Sequence, residues 1–160
     1  MINEFIPVTQ GIVALIDKWE VKLSGLPVDV IEKRKNNQMR TIKQILGHLS
    51  DSASNNIHRI VHLQYQQSPL QFPNYATQGN NDRWIAIQNY EDENWENLIR
   101  YWKYSTLHLV HVIGNIKQEK LGNEWMASPD NKVSLREMVL DYLHHFELHL
   151  NEIDELINKV

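Results

Sequence analysis

The chain has 160 residues, 42% of them apolar, a formal charge of -4 and a pI near 6.0. That length suffices for a single domain over residues 1–160 with a continuous core. The acidic balance, with no basic run longer than Lys33-Arg34-Lys35, argues against a nucleic-acid partner. No apolar run approaches the roughly 18 residues needed to span a bilayer, and the first ten residues lack the pattern of a secretory leader. The expected location is therefore the cytoplasm, with no membrane partner. The chain has no cysteine, which excludes disulfides, a thiolate nucleophile and any sulfur ligand. A metal site would have to use His, Asp or Glu.

In chain order, Ile12, Val13, Leu15, Ile16, Trp19 and Leu23 recur at three- and four-residue steps and predict a first helix from about Val8 to Ser24. Gly25 and Pro27 close it. Val28 to Gln38 is polar and basic, one short helical turn followed by a loop. Thr41 is the expected N-cap of a long second helix running to about Gln66, with Gly47 tolerated inside it at a cost of about 1 kcal/mol against Ala. Ser68 to Asp82 is rich in Pro, Gly and Asn and reads as a loop. A short helix follows around Trp84-Ile85-Ala86-Ile87. Asp92 is the expected cap of a third long helix from Glu93 to about Ile116. Lys117 to Lys132 is a second connection. Ser134 and Glu137 then form a capping-box pattern opening a last helix that runs almost to Val160. No strand-like alternation is evident. The expected fold is all-α, an antiparallel four-helix bundle with a short extra helix in the long connection between helices two and three.

Eight histidines are present, so chance pairs must be expected. On a wheel at about 100° per residue, the last helix places His149 within its apolar sector, His145 at the edge and His144 nearly opposite. His145 and His149 are thus a facing pair at i and i+4, close enough for two imidazoles to share one ion. On the second helix His48 flanks the apolar face, in a row with Ser52, Asn55 and Arg59. His58 and His62 have the same spacing but project away from the core, as do His108 and His111 on the third helix. Periodicity alone does not make the second and last helices neighbours.

The block from Ile42-Lys43-Gln44-Ile45-Leu46-Gly47-His48-Leu49-Ser50-Asp51 to Arg59 resembles the helix-two signature of the DinB/YfiT-like superfamily. The resemblance continues through Phe72-Pro73-Asn74-Tyr75, Trp84 to Tyr90 and Trp95 to Trp102, and ends in the segment Asp141 to His149. It covers about residues 40 to 155. It implies a four-helix bundle holding one divalent metal through a helix-two histidine and a last-helix HxxxH pair, here His48, His145 and His149. It also implies a small-molecule substrate and, by family habit, a homodimer. Members often carry a further histidine one place before the last ligand; this chain has Leu148 there and His144 as an extra.

Three neutral imidazoles leave a divalent ion open positions, the arrangement of a catalytic site. All-nitrogen ligation suits nickel or zinc. Such an ion activates water for hydrolysis of a small ester or amide, or binds a low-molecular-weight thiol cosubstrate and directs it at an electrophile. The resemblance, whose characterised members include thiol-dependent transferases, favours thiol transfer, and Glu147 lies about 120° from the core centre, poorly placed as a base. The reading from another class is a non-catalytic small-molecule-binding or interaction bundle. Asp51, Asp141 and Glu152 are the carboxylates nearest the three histidines, and each is expected to be a solvated surface charge. Asn56 on the apolar face is expected to bond loop backbone around Phe72 to Tyr75. Arg59 is expected to bridge a nearby acid, with a substrate carboxylate as its functional use. The aromatic surplus of Trp84, Tyr90, Trp95, Tyr101 and Trp102 is expected to be core before pocket or dimer face.

Overall fold

The computed structural model describes residues 1–77 and 79–159. Gln78, inside the predicted loop, and Val160, at the predicted end of the last helix, lie outside them. Among the described residues are six α-helices and one small sheet: α1 (Ile6–Ser24), α2 (Val28–Lys33), α3 (Ile42–Tyr65), α4 (Asn80–Gln88), α5 (Trp95–Gly114), β1 (Glu124–Ser128), β2 (Asn131–Ser134) and α6 (Leu135–Asn158).

The helix starts follow from capping chemistry. Gln44 N–H donates to Thr41 Oγ1 at 3.3 Å while Thr41 N–H donates to the Gln44 side chain at 3.0 Å, satisfying two of the orphan donors at the start of α3. The same reciprocal pair opens α6, from Glu137 N–H to Ser134 Oγ at 3.2 Å and from Ser134 N–H to the Glu137 carboxylate at 2.9 Å. The cap of α5 is Asn94, which accepts from Asn97 N–H at 3.0 Å. Asp92, the expected cap, instead closes a one-turn 3-10 helix, Tyr90–Asp92, and accepts from the Asn89 side chain.

The four long helices pack in a ring: α3 against α5 and α6, and α1 against the same two. Helices consecutive along the chain, α1 with α3 and α5 with α6, therefore sit across the diagonal. Crossing the bundle requires long connections, and residues 25–41 and 115–134 supply them. The second crossing holds a feature the sequence pattern did not reveal, the antiparallel pair β1 and β2, in register Glu124↔Ser134 and Trp125↔Val133. Only Trp125 of β1 is buried, so the strand carries no clear alternation to detect. The chain at Leu70 lies beside β1, with Leu70 N–H donating to Glu124 O at 2.7 Å and Met126 N–H to Leu70 O at 2.9 Å. Hairpin and loop thus form one wall against α3.

The core is one cluster spanning all four long helices, with the Trp102 and Phe146 rings stacked 6° from parallel at its centre. Tyr90 is also buried, Trp95 is half-buried, and Trp84 and Tyr101 are exposed. Gly47 has a specific reason to be glycine. A Cβ there would come within 2.2 Å of the Tyr90 ring, which packs against α3 at this position and donates its hydroxyl to Asp51 at 2.6 Å. No helix among the described residues is long and apolar enough to cross a membrane.

Candidate metal centre

Because α3 and α6 are neighbours in the ring, His48 faces His145 and His149. One nitrogen from each of the three lies within 4.8 Å of the others, and this is the sole such His, Asp or Glu group among the described residues. His145 Nε2 and His149 Nε2 are 3.3 Å apart, and the ring centroids of His48 and His149 are separated by 4.7 Å. Two nitrogens on a tetrahedral ion at the usual zinc distance would be about 3.3 Å apart.

Burial holds two of the rings, His48 and His145, neutral, as ligands must be. Burial pushes the His48 pKa down to about 2, reinforced by His149 and Arg40, and pushes His145 down to about 4, reinforced by His149. His48 is deeper than the flank position its wheel implied, 3% exposed, because the loop carrying Tyr75 covers it with ring centroids 5.9 Å apart. Its Nδ1 is buried without a hydrogen-bond partner. A buried polar nitrogen left unpaired is costly. Together with the closely spaced nitrogens of α6, this donor set fits a divalent ion.

Glu152 fixes the third ring. Its carboxylate lies 3.1 Å from His149 Nδ1 and 3.4 Å from the Asn36 amide that donates to it. Only a protonated Nδ1 can donate to a carboxylate, so the Nε2 lone pair is left facing His145 and His48. The bond to His149 holds the Glu152 carboxyl below its ordinary range. Glu152 is therefore a ring-orienting group and not the solvated charge expected. Asp51 is buried too, accepting from Tyr90 Oη at 2.6 Å and from the Gln88 amide at 2.7 Å, while burial raises its pKa. Asp141 is exposed, as expected.

A cavity of about 470 Å³ opens beside His145, between α3, α6, the loop at Asn74 and Tyr75, and the hairpin. Ser52, Asn56 and Arg59 line it from α3, Tyr142 and Asp141 from α6, and Trp125 from β1. Asn56 does not bond the loop as expected: its amide donates back to Ser52 O at 2.8 Å within the helix. No acid among the described residues pairs with Arg59. Its guanidinium stacks on the Trp125 ring, 4.3 Å from the centroid. The sequence had no signal for that contact, since Trp125 sits in an unrecognised strand 66 positions away.

The other histidines stay apart. His58 and His144 are exposed; His62 Nδ1 is bonded to the Tyr65 hydroxyl at 2.7 Å; His108 and His111 are both exposed.

The DinB superfamily model matches residues 14–153. The chain belongs to the DinB superfamily. The fold agrees: the solved structure of YfiT from Bacillus subtilis, described as a probable metal-dependent hydrolase with an unusual four-helix bundle topology, superposes with a TM-score of 0.82 at 14% identity, over 98% of this chain and 87% of that one. No curated protein matches the chain in sequence.

Proposed function

We propose that this DinB-superfamily protein is a metal-dependent enzyme that transfers a low-molecular-weight thiol to an electrophilic small molecule, with nickel or zinc held by His48, His145 and His149. The observation that carries the reading is the convergence of three imidazoles, with His145 opening onto the cavity, while the two buried or half-buried carboxylates nearest the rings are committed elsewhere. Glu152 is engaged by His149, and Asp51 by Tyr90 and Gln88. Glu147 is exposed on α6. A bound divalent ion supplies Lewis acidity that favours the deprotonated form of a thiol or water near pH 7. A thiol starts from a pKa of about 8.5, far below that of water, and needs little help from a side-chain base. The α3 and α6 walls position the acceptor, and the Tyr75 loop over His48 keeps bulk water from the rings.

The second reading is hydrolysis of a small ester or amide. Asp141 favours it, since it lines the cavity one turn before His145 and has no side-chain partner among the described residues. The description of YfiT as a probable hydrolase points the same way.

The test is zinc- or nickel-loaded protein assayed with p-nitrophenyl acetate without thiol, and with chlorodinitrobenzene in the presence of small thiols. Transfer predicts conjugation that requires both metal and thiol. Ester turnover without thiol, lost in Asp141→Asn, would establish hydrolysis instead. Metal-loaded protein inactive in both assays, yet retaining a metabolite, would identify a binding bundle.

A further inference from the structure

Arg59 is 6% exposed, and its Nε has no hydrogen-bond partner. The nearest polar contact of its Nη1 is the Met138 sulfur, at 4.0 Å. Burial lowers its pKa only to about 10, so the guanidinium is charged at neutral pH. A buried cation without a counter-ion is strongly unfavourable, and a guanidinium offers five donors that seek acceptors. A further buried donor on the same cavity is also unpartnered, Trp125 Nε1. Two orphaned donors beside one cavity, one of them on a cation, describe a site built for an acceptor group that the described residues do not supply.

We infer that Arg59 is the anion-binding residue of this cavity and that the molecule bound there carries a carboxylate. The inference rests on the proposed enzyme for its meaning, since it names the substrate class of that site, but not for its geometry. The Trp125 ring lies 4.3 Å from the guanidinium carbon, and a guanidinium suits the bidentate pairing of a planar carboxylate. The other charged groups lining the cavity are Lys132, Glu137 and Asp141. One lysine against two acids gives no surplus of positive charge for a dianion such as a phosphate monoester. His48 and Arg59 lie three helical turns apart, about 16 Å along the axis. Helical side chains lean toward the N-terminus, so the guanidinium reaches back toward the histidines. The reacting atom of the ligand would sit at His145 and its carboxylate at Arg59.

Two probe pairs test this: N-acetylcysteine against its amide, and benzoate against benzamide, each titrated calorimetrically into protein with and without zinc. The acid should bind at least about tenfold tighter than the amide in wild type, and the preference should vanish in Arg59→Met. Preference in the thiol pair alone assigns the carboxylate to the thiol; preference for benzoate assigns it to the acceptor. Because the comparison is made without zinc as well, it stands even if the metal reading fails. Arg59→Met should also melt at or above the wild-type temperature, because it removes an uncompensated buried charge. Arg59→Lys should fold and show a reduced preference. Equal binding of acid and amide in both pairs, or an undiminished preference in Arg59→Lys and Arg59→Met, would overturn the inference.

Discussion

His145 with His149, and His58 with His62, are two pairs of identical spacing on long helices of one chain. The first pair faces a third imidazole from a neighbouring helix, has its outer nitrogen fixed by Glu152, and lies where burial holds the His145 ring neutral. The second is at the surface, its rings stacked 6.4 Å apart, with His62 turned to Tyr65. The i and i+4 spacing provides proximity only. Three further conditions separate a site from a surface pair: a third donor delivered by topology, a carboxylate that sets the tautomer, and exclusion of water.

The comparison can be broken at each condition. The largest effect is expected from the third donor: His48→Ala should weaken zinc binding by at least about a thousandfold in a chelator competition assay, whereas His58→Ala should leave it unchanged. Next comes the effect of burial, read in metal-free protein. His48 and His145 have folded pKa values of about 2 and about 4, below the ordinary value of 6.5. Their contribution to stability is therefore complete above about pH 6.5 and is lost as pH falls toward the folded values. Each adds up to about 1.4 kcal/mol per pH unit in that window. Urea unfolding between pH 7 and 5 should show this slope, and His48→Ala should remove one histidine's share of it.

Gly47→Ala should destabilise the fold by about 1–3 kcal/mol despite the better helix propensity of Ala, because the Tyr90 ring is held in place by Asp51. Thermal unfolding would measure it. Glu152→Gln should lower zinc affinity by about 10- to 100-fold without removing the site. His144→Ala should change stability by less than about 0.5 kcal/mol and leave metal content intact.

The contrast also separates what a sequence carries from what it does not. The starts of α3 and α6 were legible because capping boxes are local: Thr41 with Gln44 and Ser134 with Glu137 stand three residues apart. The inward direction of His149 was legible because helical period is a property of one element. That α3 adjoins α6 is a property of the bundle, and no periodicity encodes it; the resemblance at residues 42–59 pointed to His48 instead. The hairpin escaped because a five-residue strand with one buried side chain has no usable period. With it escaped the stacking of Trp125 on Arg59. Glu152 was misjudged for a related reason, since a polar residue on a helix flank looks solvated until the loop residue that bonds it, Asn36, is folded against it.

The most direct test of the account is an anomalous-scattering map, collected at the zinc and nickel absorption edges, from crystals of protein purified without a histidine tag. The account predicts one peak per chain, bounded by nitrogens of His48, His145 and His149. A peak at His58 and His62, or metal-loaded crystals with no peak among the three histidines, would contradict it.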